Sequence, residues 1–360
     1  MRALSGRFAL QGRWVQAVAH GSGHINETYA ATYDQAGTPV RYIHQRINGQ
    51  VFGEPVRLME NVARVLTHAA GRLADATDAA RRTLTLVAAR DGRPYVIDEA
   101  GAVWRTYLFI EGARTHDIIE TPAQAEQAAR AFGQFQALLS DLPGERLHDT
   151  IPDFHHTRKR FDAFTAAVQD DPCNRARDCR DLIGIALAHE ADADRLLAAA
   201  AAGDVPERVT HNDTKVNNVM MDEATGEALC VVDLDTTMPG LAPVDFGDMV
   251  RTATNAAAED EPDPSQVVSR PEIFEALVRG YLSSAGAMLR PQELEWLGFA
   301  GQLLAFEQAI RFLADHLRGD TYYRIHRARH NLERARAQFA LMASIERQRD
   351  AYDAVVRRYA

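Results

Sequence analysis

The chain has 360 residues, of which 46% are hydrophobic, so it can bury a large core and is expected to form two lobes or domains. Its formal net charge of −10 gives no electrostatic basis for binding nucleic acid or acidic membrane surfaces, and no apolar segment is long enough to span a membrane. Three cysteines without metal-type spacing, and a first segment (residues 1–20) without a signal-peptide core, favour a soluble cytoplasmic protein.

The first hundred residues are predicted to be mainly β-structure. Residues 54–70 are the exception, because apolar side chains such as Val62, Val65 and Leu66 recur there at helical spacing. We therefore expect a small sheet with one main helix. The predicted strands are short, rich in β-branched or aromatic residues and separated by turn signals; they cover residues 14–19, 27–33, 41–47, 84–88, 94–97 and 103–109.

The loop between the first two predicted strands contains two glycines, in the run Gly21-Ser22-Gly23-His24-Ile25-Asn26. Glycines let backbone N–H groups approach phosphate oxygens, as a loop that covers a nucleotide requires. Taken alone, the run is better explained as an ordinary hairpin. Only the catalytic motif further along the chain favours nucleotide binding by Gly21, Ser22 and Gly23.

From residue 111 onward the apolar pattern is mostly helical, and a single hairpin interrupts it. Residues 256–268 are predicted to form an exposed acidic loop. We therefore predict an α+β protein with an N-terminal lobe at residues 1–110 and a larger, mostly α-helical C-terminal lobe at residues 111–360. The predicted helices of the second lobe cover residues 123–139, 154–168, 182–202, 271–285, 291–317 and 322–360.

The run His211-Asn212-Asp213-Thr214-Lys215-Val216-Asn217-Asn218 has the Asp, Lys and Asn spacing of a kinase catalytic loop. Asp213 is predicted to orient the acceptor hydroxyl and accept its proton, with Lys215 near the transferring phosphoryl group. A solvated loop cation is the plain alternative for Lys215. The motif therefore indicates phosphoryl transfer only in combination with the hairpin that follows it.

That hairpin is predicted from strands at residues 219–222 and 228–235 with a glycine-containing turn between them. Pairing would bring Asn218 and Asp233 side by side, and one amide and one carboxylate oxygen suffice for a Mg²⁺ ion shared with nucleotide phosphates. The run Asp245-Phe246-Gly247-Asp248 spells a kinase metal motif but lies too far from Asp213. We predict that Asp245 and Asp248 have a structural role under the catalytic loop.

The sequence has only two lysines, Lys159 and Lys215, so the strand lysine usual in kinases is absent from the N-terminal lobe. Arg46 is the nearest cation on the third predicted strand, and Glu60 on the following helix could hold it. Gln45 and His44 are alternatives, because strand register decides which side chain faces the nucleotide. A surface role for Arg46 is the remaining alternative.

These motifs together resemble those of the N-acetylhexosamine 1-kinases, members of the aminoglycoside phosphotransferase superfamily. The resemblance covers nearly the whole chain, with departures outside the motifs, such as Ala17 and Thr252. Besides the glycine-containing loop and the catalytic loop, the runs that carry it are Trp104-Arg105-Thr106-Tyr107-Leu108-Phe109-Ile110-Glu111, Asp233-Leu234-Asp235-Thr236-Thr237-Met238-Pro239-Gly240, Asp245-Phe246-Gly247-Asp248 and Arg311-Phe312-Leu313-Ala314-Asp315-His316-Leu317-Arg318-Gly319-Asp320-Thr321-Tyr322.

The resemblance implies a bilobal, protein-kinase-like fold and ATP-dependent, magnesium-dependent phosphorylation of the anomeric hydroxyl of N-acetylglucosamine or N-acetylgalactosamine. It implies that Asp213 is the base and that residues around Tyr107 and Phe109 hold adenine through backbone groups. The residues that would contact magnesium are Asn218 and Asp233, and those that would contact the sugar are Arg311, Tyr322 and His24.

Residue chemistry agrees with a neutral acceptor, because Arg311 and Tyr322 can donate hydrogen bonds to hydroxyl or carbonyl oxygens. A polycationic aminoglycoside would need carboxylates near Asp213, and the acidic loop around Glu259 could supply them. Kinases of another sugar or of an aminoglycoside are therefore alternatives. A catalytically silent nucleotide- or sugar-binding protein is a further alternative, against which the complete set of site residues argues.

Overall fold

The computed structural model describes residues 1–21 and 25–360, so the predicted site residues Ser22, Gly23 and His24 lie outside the described residues. No helix within the described ranges is long and apolar enough to cross a membrane. The chain divides into two compact units. The first comprises Met1–Arg114, Leu138–Pro152 and Met220–Pro239, and the second comprises Thr115–Ala137, Asp153–Val219 and Gly240–Ala360.

The first third of the chain contains both strands and helices, whereas helices dominate the remainder. The strands are β1 (Arg13–Ala19), β2 (Glu27–Gln35), β3 (Thr38–Arg46), β4 (Val96–Ile97), β5 (Val103–Leu108), β6 (Ala113–Arg114), β7 (Glu207–Thr210), β8 (Val219–Asp222), β9 (Ala228–Val231) and β10 (Met238–Leu241). The helices are α1 (Arg2–Ser5), α2 (Pro55–Arg72), α3 (Ala79–Arg82), α4 (Pro122–Leu139), α5 (Thr157–Asp170), α6 (Arg180–Ala188), α7 (Asp192–Ala201), α8 (Ala242–Ala253), α9 (Pro271–Ala285), α10 (Pro291–Leu294), α11 (Leu297–Leu317), α12 (His330–Arg347) and α13 (Arg349–Tyr359).

The first unit contains an antiparallel five-stranded sheet with the order β1-β2-β3-β5-β4. A tight turn at Gly37, which has a positive φ of 89°, joins β2 to β3. In the resulting register Thr28 faces Gln45, and Gln45 faces Arg105 on β5. Side chains directly opposite on neighbouring strands share a face of the sheet, so these three polar residues form a row.

Residues 84–88, predicted as a strand, form only a single bridge, between Leu86 and Tyr107. β4 already pairs with Val103 and Trp104, so only the later residues along this edge of β5 can pair with the segment. The remaining length accommodates two hydrogen bonds, from Val87 N–H to the Thr106 carbonyl and from Leu108 N–H to the Thr85 carbonyl. The segment is therefore extended, but it is too short to form a ladder.

The second unit is organised around α11, which contacts α5, α8, α12 and α13. Two glycines permit the close crossing of α8 and α11. A β-carbon at Gly247 would lie 2.5 Å from the carbonyl oxygen of Ala300, and one at Gly301 would lie 2.3 Å from Val250 Cγ1. Packing against α11 therefore explains Gly247 of the Asp245-Phe246-Gly247-Asp248 run.

Three predicted helices are each interrupted in the second unit. Residues 182–202 form α6 and α7, residues 291–317 form α10 and α11, and residues 322–360 begin with a loop before α12. In that loop the Asp315 carboxylate accepts hydrogen bonds from the backbone N–H groups of Thr321, Tyr322 and Tyr323 at 2.8–2.9 Å. These side-chain bonds replace helical ones, and apolar periodicity does not reveal them.

Candidate active site

The predicted catalytic loop, residues 211–218, follows β7 and is held by Asp245, which is fully buried in the first turn of α8. The Asp245 carboxylate accepts hydrogen bonds from the backbone N–H groups of His211, at 2.8 Å, and Asn212, at 2.7 Å. The Thr214 hydroxyl donates to the Asp245 carbonyl at 2.6 Å. The predicted structural role of Asp245 is thereby confirmed.

Two further buried side chains hold Asp245. The Gln136 amide donates to its carboxylate at 2.6 Å, and the Tyr281 hydroxyl donates to the Gln136 carbonyl at 2.5 Å. Burial raises the pKa of Asp245, against the opposing effect of His211. These hydrogen bonds form a connected network of buried polar groups, which fixes the backbone of the loop immediately before Asp213.

Asp213 itself lies beside both of the other residues of the motif. Lys215 Nζ is 2.8 Å from one carboxylate oxygen, and Asn218 Nδ2 donates to the other at 3.2 Å and to the Asp213 carbonyl at 2.9 Å. Burial would raise the pKa of Asp213, but Lys215, together with His211 and Arg251, outweighs burial and lowers it. The carboxylate is therefore ionised at neutral pH and can accept a hydrogen bond from a hydroxyl group.

The predicted hairpin is present as β8 and β9, which pair in a three-stranded sheet with β6. Its second strand ends at Val231, four residues earlier than predicted, because Asp233 adopts a left-handed conformation with φ 59° and ψ 58°. Such backbone is uncommon for residues other than glycine and concentrates at functional sites. Asp233 is exposed at this bend and belongs to the first unit. Asn218 belongs to the second unit.

The expected pairing of Arg46 with Glu60 is wrong. Arg46 pairs with Glu27 on the neighbouring strand at 2.7 Å, and Glu60 contacts His148 at 2.8 Å. Both partners of each pair are at least 40% exposed. Cross-strand pairing brings Arg46 next to Glu27, and spacing along the chain alone does not reveal it. Participation of Arg46 and Glu60 in nucleotide binding stays a prediction.

Sequence reasoning missed a buried cation in this unit, Arg105 on β5. Its guanidinium forms an ion pair with Asp235, and both side chains are at most 2% exposed. Gln45 accepts a hydrogen bond from Arg105 Nε at 3.0 Å, and Asn26 donates to the second Asp235 oxygen at 2.6 Å. One signal was present in the sequence, namely an arginine inside a strand whose other residues, apart from Thr106, are apolar or aromatic.

The two alternatives to Arg46 occupy different environments. Gln45 joins the row of Thr28 and Arg105, where its amide donates to the Thr28 hydroxyl at 3.1 Å. His44 is fully buried between the Ser5 and Thr106 hydroxyls, at 2.8 and 2.7 Å, and burial lowers its pKa to about 4. His44 is therefore neutral at physiological pH and cannot replace a lysine charge.

The residues predicted to surround adenine lie at the end of β5 and after it. Phe109 is half-buried, with the Arg41 guanidinium 3.7 Å from its ring centroid and the His20 ring 5.6 Å away. Since His20 precedes Gly21, the structure brings Phe109 close to the start of the glycine-containing loop. Tyr107 instead points into the core, where it is 3% exposed and lies beside Arg105.

The predicted acceptor residues lie at the end of α11 and in the loop that follows it. The Arg311 guanidinium lies 5.5 Å from the Phe154 ring centroid and 5.8 Å from that of Tyr323. Gln308 accepts a hydrogen bond from Arg311 at 3.2 Å and donates one to the Tyr323 hydroxyl at 3.2 Å. Tyr322 is 68% exposed, whereas Tyr323, which was not predicted from the sequence, has its ring beside the Arg311 guanidinium.

The fold and this group of side chains define the class of protein, a small-molecule phosphotransferase. The model of the phosphotransferase enzyme family, APH, matches residues 16–294, which is more than half of the chain. The chain belongs to that family, and it is therefore a phosphotransferase with an alcohol group as acceptor.

Solved structures of low sequence identity share the fold. A microcompartment-associated aminopropanol kinase is 16% identical, with 98% of this chain and 97% of that chain covered and a TM-score of 0.59. An aminoglycoside phosphotransferase from Alicyclobacillus acidocaldarius is 14% identical, with coverages of 99% and 95% and a TM-score of 0.61. A spectinomycin phosphotransferase in complex with ADP and spectinomycin is 11% identical, with coverages of 94% and 96% and a TM-score of 0.53. The predicted α+β, protein-kinase-like fold is thereby confirmed.

Proposed function

We propose that the protein is an ATP-dependent kinase that phosphorylates the anomeric C1 hydroxyl of N-acetylhexosamines, N-acetylglucosamine or N-acetylgalactosamine, to give the sugar 1-phosphate. The observation that carries the proposal is the contact of the Asp213 carboxylate with both Lys215 and Asn218. Membership of the phosphotransferase family supports the reaction type. The choice of sugar rests on the resemblance of the sequence motifs and on the chemistry of the acceptor residues.

In the proposed reaction, the C1 hydroxyl oxygen attacks the γ-phosphorus of ATP, and the bond to the bridging oxygen breaks to release ADP. Asp213 orients the hydroxyl group and receives its proton. Because the transition state of phosphoryl transfer is loose, positioning and charge neutralisation contribute most of the rate. The pKa of Lys215 is raised by Asp213, so its ammonium stays charged and can act on a phosphoryl oxygen.

Asn218 and Asp233 would hold magnesium, which would neutralise phosphate charge during transfer. The donor chemistry of both residues fits. The Asn218 amide nitrogen is engaged with Asp213, so the amide oxygen is the atom that can serve as a ligand. Among the described residues there is no cluster of three or more His, Cys, Asp or Glu side chains that could hold a metal. A magnesium ion shared with nucleotide phosphates needs no such cluster.

The ion pairs of the acidic loop favour a neutral acceptor over a polycation. Glu259 contacts Arg251 at 3.1 Å, and Asp260 contacts Arg327 at 3.0 Å. An arginine therefore already neutralises each of these two carboxylates, and Arg311 adds a positive charge to the predicted acceptor region. Hydrogen-bond donors such as Arg311 suit hydroxyl and acetamido oxygens.

We expect purified protein with Mg-ATP to convert N-acetylglucosamine or N-acetylgalactosamine to a product whose phosphorus couples to the anomeric proton in ³¹P NMR. The panel should also include glucose, galactose, kanamycin and spectinomycin, with ADP release measured in parallel. Turnover of an aminoglycoside or of an unmodified hexose alone would contradict the proposed acceptor. It would leave the phosphotransferase reaction in place.

Replacing Asp233 with asparagine is expected to raise the magnesium concentration needed for half-maximal turnover, because an amide oxygen is a weaker ligand than a carboxylate. The matched control is Glu227→Gln, which removes an exposed carboxylate from the turn of the same hairpin. Magnesium titrations of kcat for both variants make the measurement. Unchanged magnesium dependence in the Asp233 variant would contradict its assignment as a ligand.

A further inference from the structure

His155, which precedes α5, makes a polar contact with each of its ring nitrogens. Nδ1 lies 2.8 Å from Glu307 Oε1 on α11, and Nε2 lies 2.9 Å from the carbonyl oxygen of Asn212 on the catalytic loop. The second Glu307 oxygen accepts a hydrogen bond from the Thr157 hydroxyl at 2.7 Å. Glu307 is 2% exposed and the His155 side chain 11% exposed, so water competes little for these bonds.

With the Glu307 carboxyl ionised, as its lowered pKa of about 2 requires at neutral pH, the two acceptors fix the number of protons on His155. A backbone carbonyl can only accept, and an ionised carboxylate can only accept. A neutral imidazole has one N–H group and could satisfy one of these two partners, whereas an imidazolium has two N–H groups and satisfies both. A neutral His155 would leave a buried acceptor without a donor, which is costly.

We propose that His155 is a positioning residue that acts as an imidazolium, donating one N–H to Glu307 and the other to the Asn212 carbonyl, and thereby fixes the peptide that carries Asp213. The proposal rests on the proposed function in one respect, since it takes Asp213 to be the base. Glu307 stands four residues before Arg311, one turn earlier on α11. The same two bonds therefore fix the catalytic loop relative to the helix that carries the predicted acceptor arginine.

The charges around the pair agree with this assignment. Burial would lower the pKa of His155, but Glu307, the Asn212 carbonyl and Asp248 on α8 outweigh burial and raise it. Burial would raise the pKa of Glu307, but His155 and Arg311 lower it to about 2. Arg160 on α5 is a further charged group near Glu307, and it also favours the carboxylate. The Phe154 ring stands 4.5 Å from the imidazole and shields it.

These shifts set the direction of the pH dependence. A histidine whose pKa is raised in the folded state adds stability below its unfolded pKa of about 6.5 and loses it as pH rises through the folded pKa. Glu307 adds stability above the unfolded carboxyl pKa of about 4.3 and loses it as pH falls towards 2. When His155 loses its second proton, one of the two bonds must break. We therefore expect kcat to fall on the alkaline side with the midpoint of His155.

Glu307→Gln is the most informative variant, because glutamine can satisfy every partner with His155 neutral. Its amide nitrogen can donate to Nδ1 and its oxygen can accept from Thr157, while Nε2–H still donates to the Asn212 carbonyl. We expect this variant to fold, to keep most of its kcat near pH 7 and to lose the alkaline limb. In His155→Gln both N–H donors belong to a single nitrogen, which cannot lie at the positions of both ring nitrogens. We expect this variant to lower kcat by up to about 100-fold, the loss that a misplacement of about 1 Å can cause.

Side-chain ¹⁵N NMR of histidine-labelled protein measures the protonation of His155 directly, with the resonance assigned by its absence in His155→Gln. His156→Gln is the matched control, because the neighbouring His156 caps α5 and makes neither contact. We expect both nitrogens of His155 to be protonated at pH 7 in the wild type and only one in Glu307→Gln. If His155→Gln does not fold, the signal that changes in Glu307→Gln gives the assignment.

A neutral His155 at pH 7 in the wild type would overturn the proposal. So would an alkaline limb that persists unchanged in Glu307→Gln, or a His155→Gln variant that folds and retains wild-type kcat. The NMR measurement needs neither ATP nor acceptor, and the kinetic measurement can use whichever alcohol supports turnover. Failure of the N-acetylhexosamine assay would therefore be distinguishable from failure of the role assigned to His155.

Discussion

Replacing Asp213 with asparagine is expected to lower kcat by about 10²- to 10⁴-fold, the range that a positioned general base contributes. The amide keeps the size of the side chain and can still accept a hydrogen bond from Lys215. It cannot take up the proton of the acceptor hydroxyl group. We expect only a modest change in ATP affinity, because the variant alters the acceptor side of the reaction and leaves the nucleotide-binding residues intact.

The chain offers a matched control for this variant. Its other lysine, Lys159, pairs with Asp153 at 2.8 Å, the same distance as between Lys215 and Asp213. Asp153→Asn thus removes a carboxylate from an Asp–Lys pair of the same length that is more exposed and lies outside the predicted catalytic loop, and we expect wild-type kcat. Steady-state kinetics and ATP binding by calorimetry are the measurements. Equal losses of ATP binding and kcat in the Asp213 variant would contradict its role as the base.

Most of the fold could be predicted from local sequence pattern, because short-range periodicity determines where its strands and helices lie. The positions of β1, β2, β3 and α2 and the hairpin of β8 and β9 follow from side-chain alternation and turn residues close in sequence. The interrupted helices could not be predicted in this way. Their apolar spacing continues across each break, and in the loop after α11 the cause is the Asp315 carboxylate, which binds backbone groups six to eight residues away.

The same distinction between local and distant contacts applies to the candidate site. The spacing of Asp213, Lys215 and Asn218 within one loop is visible in the sequence, and the structure brings these three side chains together. Pairs between distant parts of the chain are not visible, because nothing local fixes their partner. Arg105 with Asp235 spans 130 residues, and His155 with Glu307 spans 152.

Arg105 and Asp235 are also where we expect the largest effect on stability. Arg105→Met is expected to lower the free energy of unfolding by about 3–5 kcal/mol, because it leaves the Asp235 carboxylate buried without its counter-charge. Denaturant unfolding measures the loss. Arg46→Met is the control: its ion pair with Glu27 lies on the surface, so we expect a loss of about 1 kcal/mol or less.

The double variant Arg105→Met, Asp235→Asn separates folding from function. Removing both charges should restore part of the lost stability, since the cost of the single variant is mainly that of an unpaired buried charge. Asp235 lies two residues after the predicted magnesium ligand Asp233, and its bonds to Arg105 and Asn26 fix that bend. We therefore expect the folded double variant to need more magnesium for turnover. The control variant Arg46→Met leaves this bend intact. Because Arg46 is predicted to bind the nucleotide, we expect Arg46→Met to change only the KM for ATP. Wild-type magnesium dependence in the double variant would limit the Arg105 pair to a role in stability.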